Sequence, residues 1–304
     1  MTQARHPQAH RTTVRTDILA PWPSQAMLAL LDRDPGTLAE GDPLPLGWHW
    51  LYFNEPVRAS SLGPDGHERR GAFMPEIDLP RRMWAGGTLR SLRPVRIGAR
   101  AELRSGVREV EEKRGKSGRL VFVTVGHTLL QDGHASVEEK QVIVYREVGP
   151  RLATAPARAT PTAPRERAAR PRTPPAATWT ETFVPTAVTL FQFSALTYNG
   201  HRIHYDHPYV TGREGYRGLL VHGPLTALLL LDAARRHGNA AVSSFRYRAL
   251  APLFVDEPIT LVGRPAPGPD GGEGGPSGRA STLLERVVEA LDPAGSVAMR
   301  GWAG

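Results

Sequence analysis

Cysteine is absent from all 304 residues. That excludes disulfides, thiolate nucleophiles and thiolate metal sites, and it fits a reducing compartment. No apolar run approaches the roughly 18 residues that a membrane-crossing helix needs. The opening stretch MTQARHPQAHRTTVR carries cations but no apolar block, so no secretion signal is expected and the cytoplasm is the expected compartment. Acidic residues are outnumbered by basic ones, 30 against 38, for a net charge of +8, and lysine supplies only Lys113, Lys116 and Lys140. Such a balance first suggests nucleic acid. However, Arg151, Arg158, Arg165, Arg167, Arg170 and Arg172 share one segment and no base-reading element is evident, so no nucleic-acid partner is expected. Scattered guanidinium groups equally suit a polyphosphorylated small molecule such as coenzyme A.

The length exceeds what one core usually serves, so two domains are expected. Residues 1–16 read as a polar tail and 17–148 as a first domain. A helix is expected from Ser24 as N-cap, with Met27, Leu28, Leu30 and Leu31 on its apolar face. Trp48 to Phe53 reads as strand, as do Val107 to Glu112, Leu120 to Leu130 and Gln141 to Arg146. Asp132-Gly133 marks a hairpin. Leu120 to Val125 is apolar at alternate and intervening positions, which predicts a central strand covered on both faces. Gly149 to Thr178 holds seven prolines among alanine, threonine and arginine, the composition of an extended linker. Residues 179–304 form the second domain, with strands at Phe183 to Val188, Val242 to Leu250, Pro258 to Gly263, Thr282 to Leu291 and Ser296 to Trp302. Pro265 to Gly278 reads as a Gly/Pro-rich tip. Leu92, Pro94, Val95, Ile97 and Leu103 are echoed in order by Leu250, Pro252, Leu253, Val255 and Leu261, which points to an internal duplication.

The chemistry concentrates in FSALTYNGHRIHYD, Phe193 to Asp206. Asn199, His201, His204, Asp206 and His207 fit neither a helical nor a strand period, so the stretch reads as a loop. From spacing alone an incidental polar surface loop remains open. His201 and His204, three apart without Cys or a clear carboxylate partner, do not make a metal centre, and none is expected. After it come His222, then Gly223 and Pro224 as N-cap and first helical residue, and a leucine-rich segment closing on Arg235, Arg236 and Gly238. A helix apolar on nearly all sides is wrapped by other structure, and its N-terminus suits an oxygen gathering negative charge.

That stretch resembles the motif of the MaoC-like, (R)-specific enoyl-thioester hydratases, whose loop reads Asp, any residue, Asn, Pro, an aliphatic, His. Asn199 falls at the Asp, His201 at the Asn, Arg202 at the Pro, Ile203 at the aliphatic and His204 at the His. Together with LPRRMWAGG at Leu79 to Gly87, it is similar to the mesaconyl-C4-CoA hydratase group and its eukaryotic 3-hydroxyacyl-thioester dehydratase cousins. The resemblance implies an α+β double hot-dog fold, two curved antiparallel sheets each wrapped around a helix; the sequence leaves the oligomeric state open, a homodimer being one candidate. It implies a hydro-lyase acting on acyl-CoA, for instance mesaconyl-C4-CoA to citramalyl-CoA, with no cofactor beyond the coenzyme A of the substrate. His204 becomes the general base, Asn199 orients water, and the Gly223 N–H, with His222 before it, binds the thioester oxygen.

Asn199 cannot ionise, which leaves His204 alone as base or moves Asp206 into the acid's job. Arg202 or the Arg81-Arg82 pair would face an acyl carboxylate. The first half shows no comparable Asn/His loop, so it is expected to be catalytically silent. The alternatives are a hot-dog domain that holds acyl thioesters without turning them over, and a 3-hydroxyacyl-thioester dehydratase of fatty-acid synthesis.

Overall fold

The structure, a computed structural model, describes residues 11–71, 73–115, 118–147, 177–238, 241–266 and 286–304. The expected linker lies almost wholly outside these residues, as does most of the expected tip.

The first half runs β1 (Thr12–Ile18), α1 (Pro21–Leu30), a 3₁₀ turn at Trp48–Leu51, then β2 (Arg81–Ser91), β3 (Arg100–Gly115), β4 (Gly118–Gln131) and β5 (His134–Arg146). The second runs β6 (Trp179–Phe183), α2 (Ala187–Leu196), a 3₁₀ turn at Arg202–His204, α3 (His207–Gly212), α4 (Gly223–Arg236), β7 (Ser244–Ala249), β8 (Ile259–Pro265), β9 (Arg286–Leu291) and β10 (Val297–Ala303). All ten strands join one sheet in the order β1-β3-β4-β5-β2-β7-β10-β9-β8-β6. Counted within its own half, each side of the sheet reads first, third, fourth, fifth, second. The two second strands meet at the seam, Gly87 opposite Tyr247. Every pairing is antiparallel.

The sequence echo is therefore a structural repeat. Leu92 and Leu250 each follow the seam strand of their half, and Leu103 and Leu261 lie in the next strand. Pro43 bridges Arg96 as Leu220 bridges Phe254. Leu44 N–H donates to Val95 O as Val221 N–H donates to Leu253 O. By that register the Trp48–Leu51 turn stands where α4 stands in the second half.

α4 buries every residue from Leu225 to Ala234, because a helix apolar on all sides gains only when it is wrapped. Its Leu228 and Leu231 reach across to Gly47, where a Cβ would lie 3.0 and 3.1 Å from them, so one core serves both halves. Asp232, 3% exposed, is tied to Arg235 and Arg236 on its own helix and to Arg33 of the first half.

Several local expectations are corrected. Residues Thr12 to Thr16 belong to the edge strand β1, whose TTVRTDI alternates in burial, so the tail is shorter than expected. α1 begins at Pro21, with both prolines in its first turn where their missing N–H groups cost nothing. Ser24 bonds Tyr52 Oη at 2.8 Å instead of capping. Trp48 to Leu51 forms a turn entered through Gly47 at φ +87°, a conformation no strand allows. β6 ends at Phe183, and Thr186 caps α2 in a reciprocal pair with Thr189. β4 is central, but between Leu120 and Val125 the buried residues are Val121, Val123 and Val125, while Leu120, Phe122 and Thr124 are partly covered. At its end Asp132 (φ 53°) and Gly133 (φ 75°) make the expected tight turn.

Candidate active site

Two loops converge on the start of α4. In the second half α2 ends at Leu196, Tyr198 turns the chain at φ +48°, and Asn199 Oδ1 accepts the His201 N–H at 3.0 Å. That side-chain-closed turn leads into the Arg202–His204 turn. In the first half Gly63 N–H donates to His67 O at 2.7 Å and Asp65 Oδ1 accepts the His67 N–H at 3.2 Å. Arg202 N–H donates to Asp65 O at 2.9 Å and pins the two loops together.

The convergence produces a row of four imidazoles. His67 and His201 lie 4.1 Å apart between ring centroids, His201 and His204 5.6 Å edge to face, and His204 and His222 3.6 Å, nearly parallel. His204 Nδ1 lies 2.8 Å from Leu220 O. A carbonyl only accepts, so Nδ1 carries the proton and Nε2 keeps its lone pair. Among the described residues Nε2 has no hydrogen-bond partner. His67 Nδ1 likewise faces Asp65 Oδ2 at 3.1 Å. His222 Nε2 is 2.9 Å from Ser194 Oγ, while its Nδ1 is buried without a partner.

Burial, with the neighbouring imidazoles adding to it, holds these rings neutral. His201 and His204 are each pushed down to about 3, burial being the larger cause for both. Burial and His204 push His222 well below its ordinary value. Burial outweighs the Asp65 hydrogen bond in lowering His67, with Arg82 and Arg70 acting the same way. Asp65 itself is raised by burial, but the hydrogen bonds it accepts from the His67 ring and backbone N–H win, holding its carboxyl well below the usual range.

The row ends at α4. His222 is the N-cap and Gly223 the first helical residue, one position earlier than the sequence suggested. As the first residue, Gly223 points an N–H that has no carbonyl within the helix to bond. Trp84 of the first half roofs it: a Cβ at 223 would be 3.5 Å from Trp84 Cβ. Trp84 is held by an indole hydrogen bond to Tyr247 Oη at 2.7 Å.

Of the expected residues, His204, His222 and Gly223 come together here, while the Asn199 side-chain oxygen closes the turn onto the His201 N–H. Arg202 and Asp206 are spent on each other. Asp206 Oδ2 accepts from Arg202 Nε and Nη2 at 2.9 and 2.6 Å, and its Oδ1 caps α3 through the Tyr209 N–H. Arg202 also donates to Pro64 O and lies over the Tyr209 ring. Asp206 is thus a structural anchor, unavailable as the motif's acid. Arg81 is engaged by Glu214 and the Tyr216 ring. Arg82, cross-strand from Tyr145, makes no hydrogen bond or ion pair among the described residues. The Tyr145 hydroxyl is buried without a partner.

Sequence reasoning missed Asp65, His67, Trp84 and Ser194. The first two were legible as Asp-Gly-His, one carboxylate away from Asn-Gly-His, and the structure corrects the expectation that the first half has no such loop. Asp65, His67 and His201 also offer one ligand atom each within 4.8 Å of one another. That donor set could hold a divalent cation, and it differs from the His201/His204 pair considered from spacing.

No helix among the described residues is long and apolar enough to cross a membrane. The family model for hydroxyacyl-thioester dehydratase type 2 matches residues 47–255. The chain is 44% identical over 272 residues to the mesaconyl-C(4)-CoA hydratase of Chloroflexus aurantiacus, covering 87% of this chain and 90% of that one. It is 27% identical to the mitochondrial hydroxyacyl-thioester dehydratase type 2 of Schizosaccharomyces pombe, over 71% and 76% of the two chains. Among solved structures, a MaoC-like dehydratase from Phytophthora capsici superposes with a TM-score of 0.60 at 15% identity, covering 97% of this chain and 94% of that one. A Mycobacterium tuberculosis protein with a double hotdog fold gives 0.57 at 16% identity, over 97% and 94%. The architecture is accordingly a double hot-dog, and the chain belongs to the hydroxyacyl-thioester dehydratase type 2 family of hydro-lyases.

Proposed function

We propose that the protein adds water across the α,β double bond of an enoyl-CoA, and removes it in reverse, with an acyl group that ends in a carboxylate as mesaconyl-C4-CoA does. The observation that carries the reading is the setting of His204. Its Nδ1 is committed to Leu220 O, its Nε2 lone pair is free, and its ring stacks at 3.6 Å on His222, the residue before Gly223. The ring of the base therefore stacks on the residue next to the oxyanion donor.

In the forward direction His204 Nε2 takes a proton from water while the oxygen bonds to the β-carbon. The π pair moves onto the thioester oxygen, where the Gly223 N–H meets it, one such donor contributing about 3 kcal/mol. His204 then returns the proton to the α-carbon, and the sum is H and OH across the double bond. No electrons leave the substrate, so no cofactor is needed beyond the coenzyme A it carries. Neutral imidazole is required at neutral pH, and burial keeps it so.

The acyl carboxylate finds its partner in Arg82, the one of the three candidate arginines not already engaged, with the Tyr145 hydroxyl beside it across the strand. A cavity of about 620 Å³ is lined by Arg15, Arg58 and, just before Asn199 in the chain, Thr197 and Tyr198, a size suited to a small-molecule arm.

The test is hydration of mesaconyl-C4-CoA and crotonyl-CoA followed by loss of enoyl-thioester absorbance. His204→Ala should lower kcat on both at least about 100-fold with the melting temperature kept, and full activity in that variant would remove His204 as base. Arg82→Met should cost about 10- to 100-fold in kcat/KM on mesaconyl-C4-CoA and little on crotonyl-CoA. Equal losses on the two substrates would deny Arg82 the carboxylate.

A further inference from the structure

Asp65-Gly66-His67 in the first half and Asn199-Gly200-His201 in the second close with the same kind of side-chain hydrogen bond, although of their middle glycines only Gly66 is left-handed. In each, a side-chain oxygen of the first residue accepts the N–H of the third, at 3.2 Å for Asp65 and 3.0 Å for Asn199. The middle glycines lie against each other. A Cβ on Gly66, whose φ is +88°, would fall 1.9 Å from Gly200 O, and one on Gly200 would fall 2.9 Å from Gly66 O, so neither tolerates a side chain. The third residues meet ring to ring at 4.1 Å. What differs is the ionisable atom: the second loop carries an amide and the first a carboxylate. Asp206, the acid of the motif stretch, is spent on Arg202 and the Tyr209 N–H. Among the described residues, Asp65 is the carboxylate hydrogen-bonded to the imidazole row, Oδ2 to His67 Nδ1 at 3.1 Å.

We infer that Asp65, acting through His67, is the positioning carboxylate of the hydration reaction, so that the half without the hydratase motif completes the site. The inference rests on the hydratase reading above. When His204 takes the proton from water, the buried row gains a positive charge until that proton passes to the α-carbon. The charged groups facing the row from the first half are Asp65, Arg82 and Arg70, and of these only Asp65 favours the cationic row. Asp65 also fixes the tautomer of His67, with its proton on Nδ1, the arrangement by which a buried carboxylate holds a catalytic imidazole in place.

The test uses the purified full chain with crotonyl-CoA. Asp65→Asn keeps the oxygen that closes the turn but puts an amide N–H group where the other oxygen accepts the His67 Nδ1 proton, so it removes both the charge and the hydrogen bond that fixes the tautomer. It should lower kcat at least about 100-fold, leave KM within about threefold, and move the acid limb of kcat/KM to lower pH, because the imidazolium is then harder to form. Asp65→Ser, whose hydroxyl can still close the turn, should behave alike and serves if the Asn variant does not fold. The double variant Asp65→Asn with Asn199→Asp moves the carboxylate across the glycine contact, to the residue whose side chain accepts the His201 backbone N–H. It should regain at least about tenfold over Asp65→Asn, a rescue that a purely structural role for Asp65 would not give.

Asp65→Asn retaining half or more of wild-type kcat overturns this inference and leaves the hydratase reading standing. So does loss of activity with a lowered melting temperature and no rescue by Asn199→Asp. Stoichiometric divalent metal in the purified wild type, lost in Asp65→Asn, overturns it by giving Asp65, His67 and His201 to an ion. A wild type inert toward both crotonyl-CoA and mesaconyl-C4-CoA overturns the inference and the reading together.

Discussion

The two halves share a strand order and a glycine-centred loop, yet they differ most at the helix the sheet is meant to wrap. The second half has the 14-residue α4, and the first, at the same register, has the four-residue turn Trp48–Leu51. The missing helix is replaced by bulk. Trp48 is 1% exposed, and Trp50 stacks edge-on against Trp84 at 5.2 Å. His49 and Trp50 both bond the buried Glu139 carboxylate, at 2.8 and 3.0 Å. The space that a second such helix would take is filled by a histidine–carboxylate hydrogen bond and rings. A duplicated unit has thus divided its labour. One half supplies the helix N-terminus and the free imidazole, while the other lacks the helix and supplies a carboxylate from a loop that follows the turn in its place, where Asn199 precedes α4.

That division makes a stability comparison that can fail. Trp48 and Leu225 occupy equivalent places and are both fully buried, at 1% and 0% exposure. If the turn is the true core of the first half, Trp48→Ala should cost about 4 kcal/mol and Leu225→Ala about 3, read as midpoints in chemical denaturation. Because one apolar cluster spans both halves, both variants should unfold in a single transition. A first half that melts separately in Trp48→Ala would break the picture of a shared core.

Much of this was legible in the chain. α4 announced itself through Leu225 to Ala234, because a helix with no polar face has only one place to be. The duplication showed in Leu92 to Leu103 against Leu250 to Leu261, since strand-to-strand corners fix both apolar positions and prolines. His204 and Gly223 followed from the motif. What could not be read was governed by the far half. Asp65 and His67 lie 134 residues before Asn199 and His201, in a stretch that looks like an ordinary glycine-rich turn until Gly66 meets Gly200. Arg202 and Asp206 looked like substrate ligands because sequence shows charge but not the partner that satisfies it. Trp48 to Leu51 was read as strand on its aromatic content, and the positive φ at Gly47 overrode that propensity.

The smallest expected effect of a single substitution is one histidine's share of a pH dependence, and it probes whether the imidazole row truly straddles the halves. His201 and His204 stay neutral in the folded protein down to about pH 3, and His67 and His222 are lowered too. Unfolded imidazoles take protons near pH 6.5. Between those values the unfolded chain binds more protons than the folded one, so stability should fall as pH falls, by about 1.4 kcal/mol per pH unit for each histidine so held. Above about pH 6.5 this source gives no dependence, and the contribution of Asp65 is lost only below about pH 4, where an unfolded aspartate protonates. Calorimetric melting between pH 7.5 and 4.5 should show the slope, and both His67→Gln and His201→Gln should flatten it. If only the second-half variant does so, the first-half imidazole does not share the charge of the row, and the two halves are joined by packing alone.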